Sequence, residues 1–107
     1  MMNETEFESL AGRALARIEA AIEESGLDAD VELKEGGVLE IEFADGSKIV
    51  INRHAAARQI WVAARSGGFH FRWDGSAWRD TREATELFAA LSKLVSEQSG
   101  KPVLLAR

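Results

Sequence analysis

The chain of 107 residues contains no cysteine. That removes disulfides, thiolate metal sites, thiolate-held clusters and cysteine nucleophiles together. Proline occurs once, at Pro102, and no apolar run approaches the roughly 18 residues that a membrane span requires. The N-terminal stretch MMNETEFESLAG has neither an apolar h-region nor an Arg-rich amphipathic leader. No signal or transit peptide is therefore predicted, and a cytoplasmic protein is expected. There are no repeats, no P-loop, no Gly-rich dinucleotide turn after a strand, no H-x-x-H or H-E-x-x-H spacing and no plausible Ser-His-Asp pairing. A non-enzymatic protein is the expectation.

What is present is unevenly charged. Residues 1–45 hold thirteen acids against three bases, a net of −10, whereas residues 46–107 hold ten bases against five acids, a net of +5. Concentrating carboxylates at one end costs self-repulsion and creates a field that attracts cations or a basic partner. An overall charge of −5 argues against nucleic acid, which needs a coherent basic patch. The length and the absence of a linker predict one domain over residues 1–107, large enough for a core without staples.

The hydrophobic periodicity predicts an architecture. Phe7, Leu10, Ala11, Ala14, Leu15, Ile18, Ala21 and Ile22 recur at helical spacing, giving a helix over about residues 4–25 with Asn3 or Thr5 as cap and Gly26 at its C-terminal end. The period then falls to two. DVELK, VLEIEF, SKIVIN, QIWVAAR, FHFRW and AWRD read as six strands, with Gly36-Gly37, Asp45-Gly46, Gly67-Gly68 and Asp74-Gly75-Ser76 at turns and RHAAAR (Arg53–Arg58) as an irregular connection. A second helix is expected from Thr81, with Ala84, Leu87, Phe88, Leu91, Leu94 and Val95 as its buried stripe and Gly100 as its end. The tail Val103–Ala106 is apolar enough to pack back on the body. Helix, strands, helix makes an α+β two-layer sandwich: two terminal helices on one face of an antiparallel sheet, in the order α-β-β-β-β-β-β-α, with the other sheet face open.

The candidate site is acidic. Glu19 and Glu23 lie one turn apart with Glu24 adjacent, and Asp28, Asp30 and Glu32 follow on the strand that such packing brings beside the helix end. These six carboxylates form a candidate ridge for hard cations with oxygen ligands, including ferric and ferrous iron, calcium and manganese, at modest affinity. The same residues also read as a solvated helix face and a charged edge strand that resists aggregation. His70 alternates onto the face opposite Phe69 and Phe71 and His54 falls in the irregular connection; both read as structural rather than as metal ligands. Trp61 is the sharpest single residue. Ile60, Val62 and Ala64 take the core-facing parity, so Trp61 is left on the open sheet face, where tryptophan is enriched at binding hot spots. Trp73 and Trp78 read as core or rim.

The runs GGVLEIEFADGSKIVINR (Gly36–Arg53), QIWVAARSGGFHFRWDG (Gln59–Gly75) and WRDT (Trp78–Thr81) resemble the bacterial frataxin (CyaY) family along nearly the whole chain. After INR this chain reads His54-Ala55-Ala56, where the family often has Q-x-P. The resemblance implies the same two-helix sandwich and a role in iron–sulfur cluster assembly as an iron-dependent regulator or iron donor. It implies the cysteine desulfurase IscS as partner, with the scaffold IscU in the complex, and a monomer in the absence of metal. By position it implies iron on Glu19, Glu23, Glu24, Asp28, Asp30 and Glu32, desulfurase contact through Glu19, Glu23 and Asp30, and partner contact through Trp61. A pure docking module with incidental metal binding is the alternative. A ferroxidase would require a defined redox centre, for which the sequence shows no compact ligand set, and iron storage would require a cage built by oligomerisation.

Overall fold

The structure, a computed structural model, describes residues 2–107. Helix α1 runs Glu4–Glu24 and is followed by β1 (Ala29–Lys34), β2 (Val38–Phe43), β3 (Lys48–His54), β4 (Gln59–Ala64), β5 (Gly67–Trp73), β6 (Trp78–Asp80) and helix α2 (Leu87–Ser99). The six strands pair in sequence order, each antiparallel to the next, so β1 and β6 are the sheet edges. Both helices cover one face: α1 packs over β1 and β3, and α2 lies nearest β6. This is the α+β sandwich that the periodicity predicts.

Each boundary has a local cause. Asn3 caps α1 reciprocally: its side chain accepts from Glu6 N at 2.8 Å while Glu6 Oε1 accepts from Asn3 N at 3.1 Å. Gly26 follows the last turn at φ +71° and Gly100 ends α2 at φ +73°, the left-handed conformation that glycine adopts without steric cost. Phe7, Leu15, Ile18 and Ile22 of α1 meet Leu39, Ile41, Ile49, Ile51, Ile60 and Phe71 of the sheet and Leu87 and Leu91 of α2 in one continuous buried cluster. Ala11, Ala14 and Ala21 are buried among them and let the helix backbone approach closely.

The tail returns as expected. Leu105 is buried, and Ser92 Oγ accepts from its backbone N at 2.9 Å while donating to Phe88 O. Ser96 likewise holds Val103 at both its N and its O.

The second helix begins six residues later than the Thr81 reading. The Asp80 carboxylate accepts from Arg82 N and Glu83 N, and Ala84 N donates to Asp80 O. Ala84 sits at φ +62° and Arg79 bridges to Glu86, so this segment folds back along β6 and shields its free edge. Ala84 is consequently exposed and outside the buried stripe. The true cap is Glu86, whose carboxylate accepts from Phe88 N and Ala89 N. A smaller correction concerns Arg53 and His54: both belong to β3, and only residues 55–58 form the connecting turn.

Candidate functional site: an acidic edge and an aromatic stack

The acidic edge comes from two layers. Leu39, Ile41 and Phe43 of β2 turn inward, so Glu40 and Glu42 project from the open face. The register sets Asp30 opposite Glu42 and Glu32 opposite Glu40, two like-charged cross-strand pairs between the edge strand β1 and its neighbour β2. Glu19 and Glu23 lie on the helix that runs behind β1, and Asp28 sits in the link between the two elements. Glu19 is half-buried; Glu23, Asp28, Asp30 and Glu32 are exposed. None of these five makes an ion pair among the described residues.

Two nearby acids are already engaged. Glu24 is held by both Arg17 guanidinium nitrogens, the shorter contact being 3.0 Å, and this hydrogen-bonded pairing lowers its pKa and raises that of Arg17. At about 100° per residue, Glu24 is rotated well away from Glu19 and Glu23. Glu40 accepts from Lys34 Nζ at 2.8 Å and Lys48 Nζ at 3.2 Å; these two bonds lower its pKa, and the bond to Glu40 raises that of Lys34. Among the described residues, no three His, Asp or Glu side chains converge closely enough to hold a metal ion. The carboxylate oxygens suit a hard cation, but through a spread surface and not a preformed cage.

Across the middle of the open face runs a feature the sequence reading did not anticipate. Trp61 is sandwiched between His54 (ring centroids 3.9 Å, 13° between planes) and His70 (4.3 Å, 8°). Its indole N–H donates to Gln59 Oε1 at 2.8 Å, and His54 Nδ1 accepts from Ala57 N at 3.3 Å. Trp61 is therefore half-buried, and the histidines are its supports. The sequence reading put Gly67-Gly68 at this turn; the turn residues are Arg65-Ser66, Gly67 and Gly68 open β5, and the pairing of Ala64 with Gly67 puts Trp61 directly opposite His70. Nothing comparable reveals His54, since its stacking depends on β3 continuing past Arg53.

A model of the frataxin-like domain matches residues 1–101. The chain belongs to the frataxin-like family. Its sequence is 61% identical over 104 residues to the iron-sulfur cluster assembly protein CyaY of Dechloromonas aromatica, covering 97% of this chain and 99% of that one. Among solved structures, the frataxin of Psychromonas ingrahamii superposes with a TM-score of 0.90 at 35% identity, over 99% of this chain and all of the other (100%). A trimeric frataxin from Saccharomyces cerevisiae, complexed with ferrous iron, superposes at 0.72 with 29% identity, over 85% of this chain and 86% of that one. Against this frataxin background the His54-Ala55-Ala56 departure has a structural content: the turn is short, Arg58 adopts φ +54°, and His54 is placed to stack on Trp61. Among the described residues of this frataxin-like chain, no helix is long and apolar enough to cross a membrane.

Proposed function

We propose that this frataxin-like protein acts in iron–sulfur cluster assembly as an iron-responsive regulator of the cysteine desulfurase or as an iron donor, docking with the scaffold protein in the same complex. The observation that carries the reading is the row of uncompensated carboxylates along the β1 edge, Glu19, Glu23, Asp28, Asp30 and Glu32, in a chain whose relatives are named for that pathway. Such a row gathers Fe²⁺ or Fe³⁺ weakly, because hard cations take oxygen ligands and the spread donors leave most of the shell to water. A bound cation cancels part of the charge that a basic patch on the desulfurase would meet, so iron loading and docking compete or cooperate through one surface. Glu24 joins the ridge by releasing Arg17. The Trp61 stack supplies a rigid aromatic contact on the neighbouring face.

A second reading is favoured by the spacing of the acids: the edge docks on a basic partner and metal binding is incidental. An anaerobic Fe²⁺ titration followed by amide NMR separates the two. Line broadening confined to Glu19–Glu32, lost in a Glu19→Gln/Glu23→Gln/Asp30→Asn/Glu32→Gln variant, is expected for the iron-responsive protein. An unchanged spectrum at millimolar iron leaves the docking module. Trp61→Ala should weaken desulfurase–scaffold complex formation while leaving the iron-induced broadening intact.

A further inference from the structure

In residues 46–107, Lys48 and Arg65 are paired with Glu40 and Asp45 of the acidic side, and much of the remaining positive charge gathers near the opposite edge of the sheet. Trp73, half-buried at the end of β5, lines three open surface grooves of about 310, 250 and 440 Å³. Arg13 and Arg17, one turn apart on α1, line the first together with the apolar side chains of Leu10 and Phe88. Arg72 and Arg79, paired across β5 and β6, line the second together with Asp74 and Asp80. Arg58 and Arg72 line the third, beside Met2.

Part of this charge is neutralised in place. Arg17 holds Glu24, and Arg79 donates to Asp74 at 2.9 Å. At the rim of the first groove Arg107 approaches Glu86 at 4.0 Å. Arg13, Arg58 and Arg72 make no ion pair among the described residues. Arg58 donates only to Ala55 O of its own turn, and Arg13 only to Ser9 Oγ. The result is an indole flanked by three open grooves, with the unpaired guanidinium groups of Arg13, Arg58 and Arg72 beside the carboxylates of Asp74, Asp80 and Glu86, in a protein whose net charge is −5.

We infer that this face docks an acidic segment of a partner protein, with a bulky apolar side chain seated beside Trp73 and carboxylates on Arg13, Arg58 and Arg72. Charge complementarity selects the occupant. A guanidinium presents its N–H donors as a planar fork that matches a carboxylate, and tryptophan with arginine is the usual composition of an interface anchor. Small bays strung round one ring suit consecutive side chains of an extended segment better than one compact ligand. Nucleic acid is disfavoured because the acidic edge of the same molecule repels a long polyanion. The acidic edge follows β1 and this face adjoins β6, so a basic partner on one does not obstruct an acidic partner on the other.

The test is selection from a random library of peptides about twelve residues long on the immobilised full chain at low salt. Affinity is then measured by fluorescence anisotropy and the site located from the Trp73 indole N–H resonance, assigned with Trp73→Phe. Expected are peptides that combine clustered Asp and Glu with an aromatic or leucine residue, that shift the Trp73 resonance, and that bind about tenfold or more weakly to an Arg58→Glu/Arg72→Glu variant. Arg58→Gln/Arg72→Gln, which keeps the side-chain stems, should show the same loss if the reversed charges impair folding. The inference is overturned if no peptide enriches, if the enriched peptides are not acidic, or if acidic peptides bind without moving Trp73 or without sensing the arginine changes. It is equally overturned if a labelled single-stranded oligonucleotide binds through these arginines as tightly as the peptides, or if the protein alone dimerises through them.

Discussion

Asp74 shows how much one side chain can organise. In the turn between β5 and β6 its Oδ1 accepts from Ser76 N and Ala77 N, both at 2.8 Å, and from Ser76 Oγ, while Oδ2 accepts from Arg79. These bonds, led by the two backbone amides, hold its pKa far below the usual aspartate value. The unfolded chain therefore binds a proton more readily at this position than the folded one. The stabilisation is fully present above the ordinary aspartate value of about 4 and is lost as pH falls below it. Asp74→Ala is expected to lower Tm at pH 7, and the gap to the parent should narrow steadily below about pH 4 in pH-resolved thermal unfolding. A second contrast of single residues lies in the turn between β1 and β2, where Gly36 and Gly37 have φ +81° and +74°. A Cβ on Gly36 would meet open space, whereas one on Gly37 would come within 2.6 Å of Arg53 Cγ and Cδ. Gly36→Ala should cost about 1–2 kcal/mol from backbone strain alone. Gly37→Ala should cost more in urea unfolding, and the extra loss should disappear in a Gly37→Ala/Arg53→Ala double variant.

Helix α2 is tied to the rest of the molecule at both ends. Its start rests on Glu86, and glutamate is a less common cap than serine, threonine or aspartate. Glu86→Ala removes the acceptor for two amides and should cost about 1 kcal/mol in urea unfolding, whereas Thr81→Ala, at the start predicted from sequence, should change little. At the other end, buried Gln98 accepts from Arg65 N and donates to Ser47 Oγ and Lys48 O, tying α2 to the start of β3 and to the turn between β4 and β5. Ser92 ties it to the tail. Ser92→Ala leaves the buried amide of Leu105 without a partner, an expected loss of about 1–3 kcal/mol. Faster hydrogen exchange confined to residues 103–106 would confirm that the tail, and not the helix, is released. Each strand edge has its own protection: β6 is short and bridged by Glu86, whereas β1 carries like charges outward.

Taken whole, the molecule is electrically two-sided: carboxylates without counterions follow the β1 edge, and arginines collect near β6. The Trp61 stack lies between them on the open face. Docking through an exposed acidic edge should weaken steeply with added salt, since screening acts over about 8 Å at physiological ionic strength. Measuring desulfurase affinity against salt for the parent and for Glu19→Gln/Glu23→Gln should give a shallower slope for the variant. The excess of acids before residue 46 thus maps onto the β1 edge, whereas the arginine-rich end draws on both halves of the chain, Arg13 and Arg17 from the first and Arg58, Arg72 and Arg79 from the second.

The sequence by itself determined the secondary structure and its layering. Alternation of apolar residues fixes which face of each strand is buried, helical spacing fixes the stripe of α1 and that of α2 from Leu87 onward, and glycines mark the turns after β1, β2 and β5, all through local geometry. It also determined that Trp61 faces outward and that the acids concentrate before residue 46. Only the tertiary structure decided which charges remain free. Glu24 is neutralised by Arg17 two turns away and Glu40 by lysines from both neighbouring strands, pairings that depend on rotation about the helix and on strand register. It alone decided that α2 starts at Leu87, because Thr81 donates its amide to His70 O of β5 and Arg82, Glu83 and Ala84 donate theirs to Asp80, and a helix propensity weighs only local alternatives. It alone joined His54, Trp61 and His70 into one stack, and gathered Arg13, Arg58 and Arg72 from three separate segments around Trp73. Contacts between residues far apart in the chain have no periodic signature, so folding had to create them.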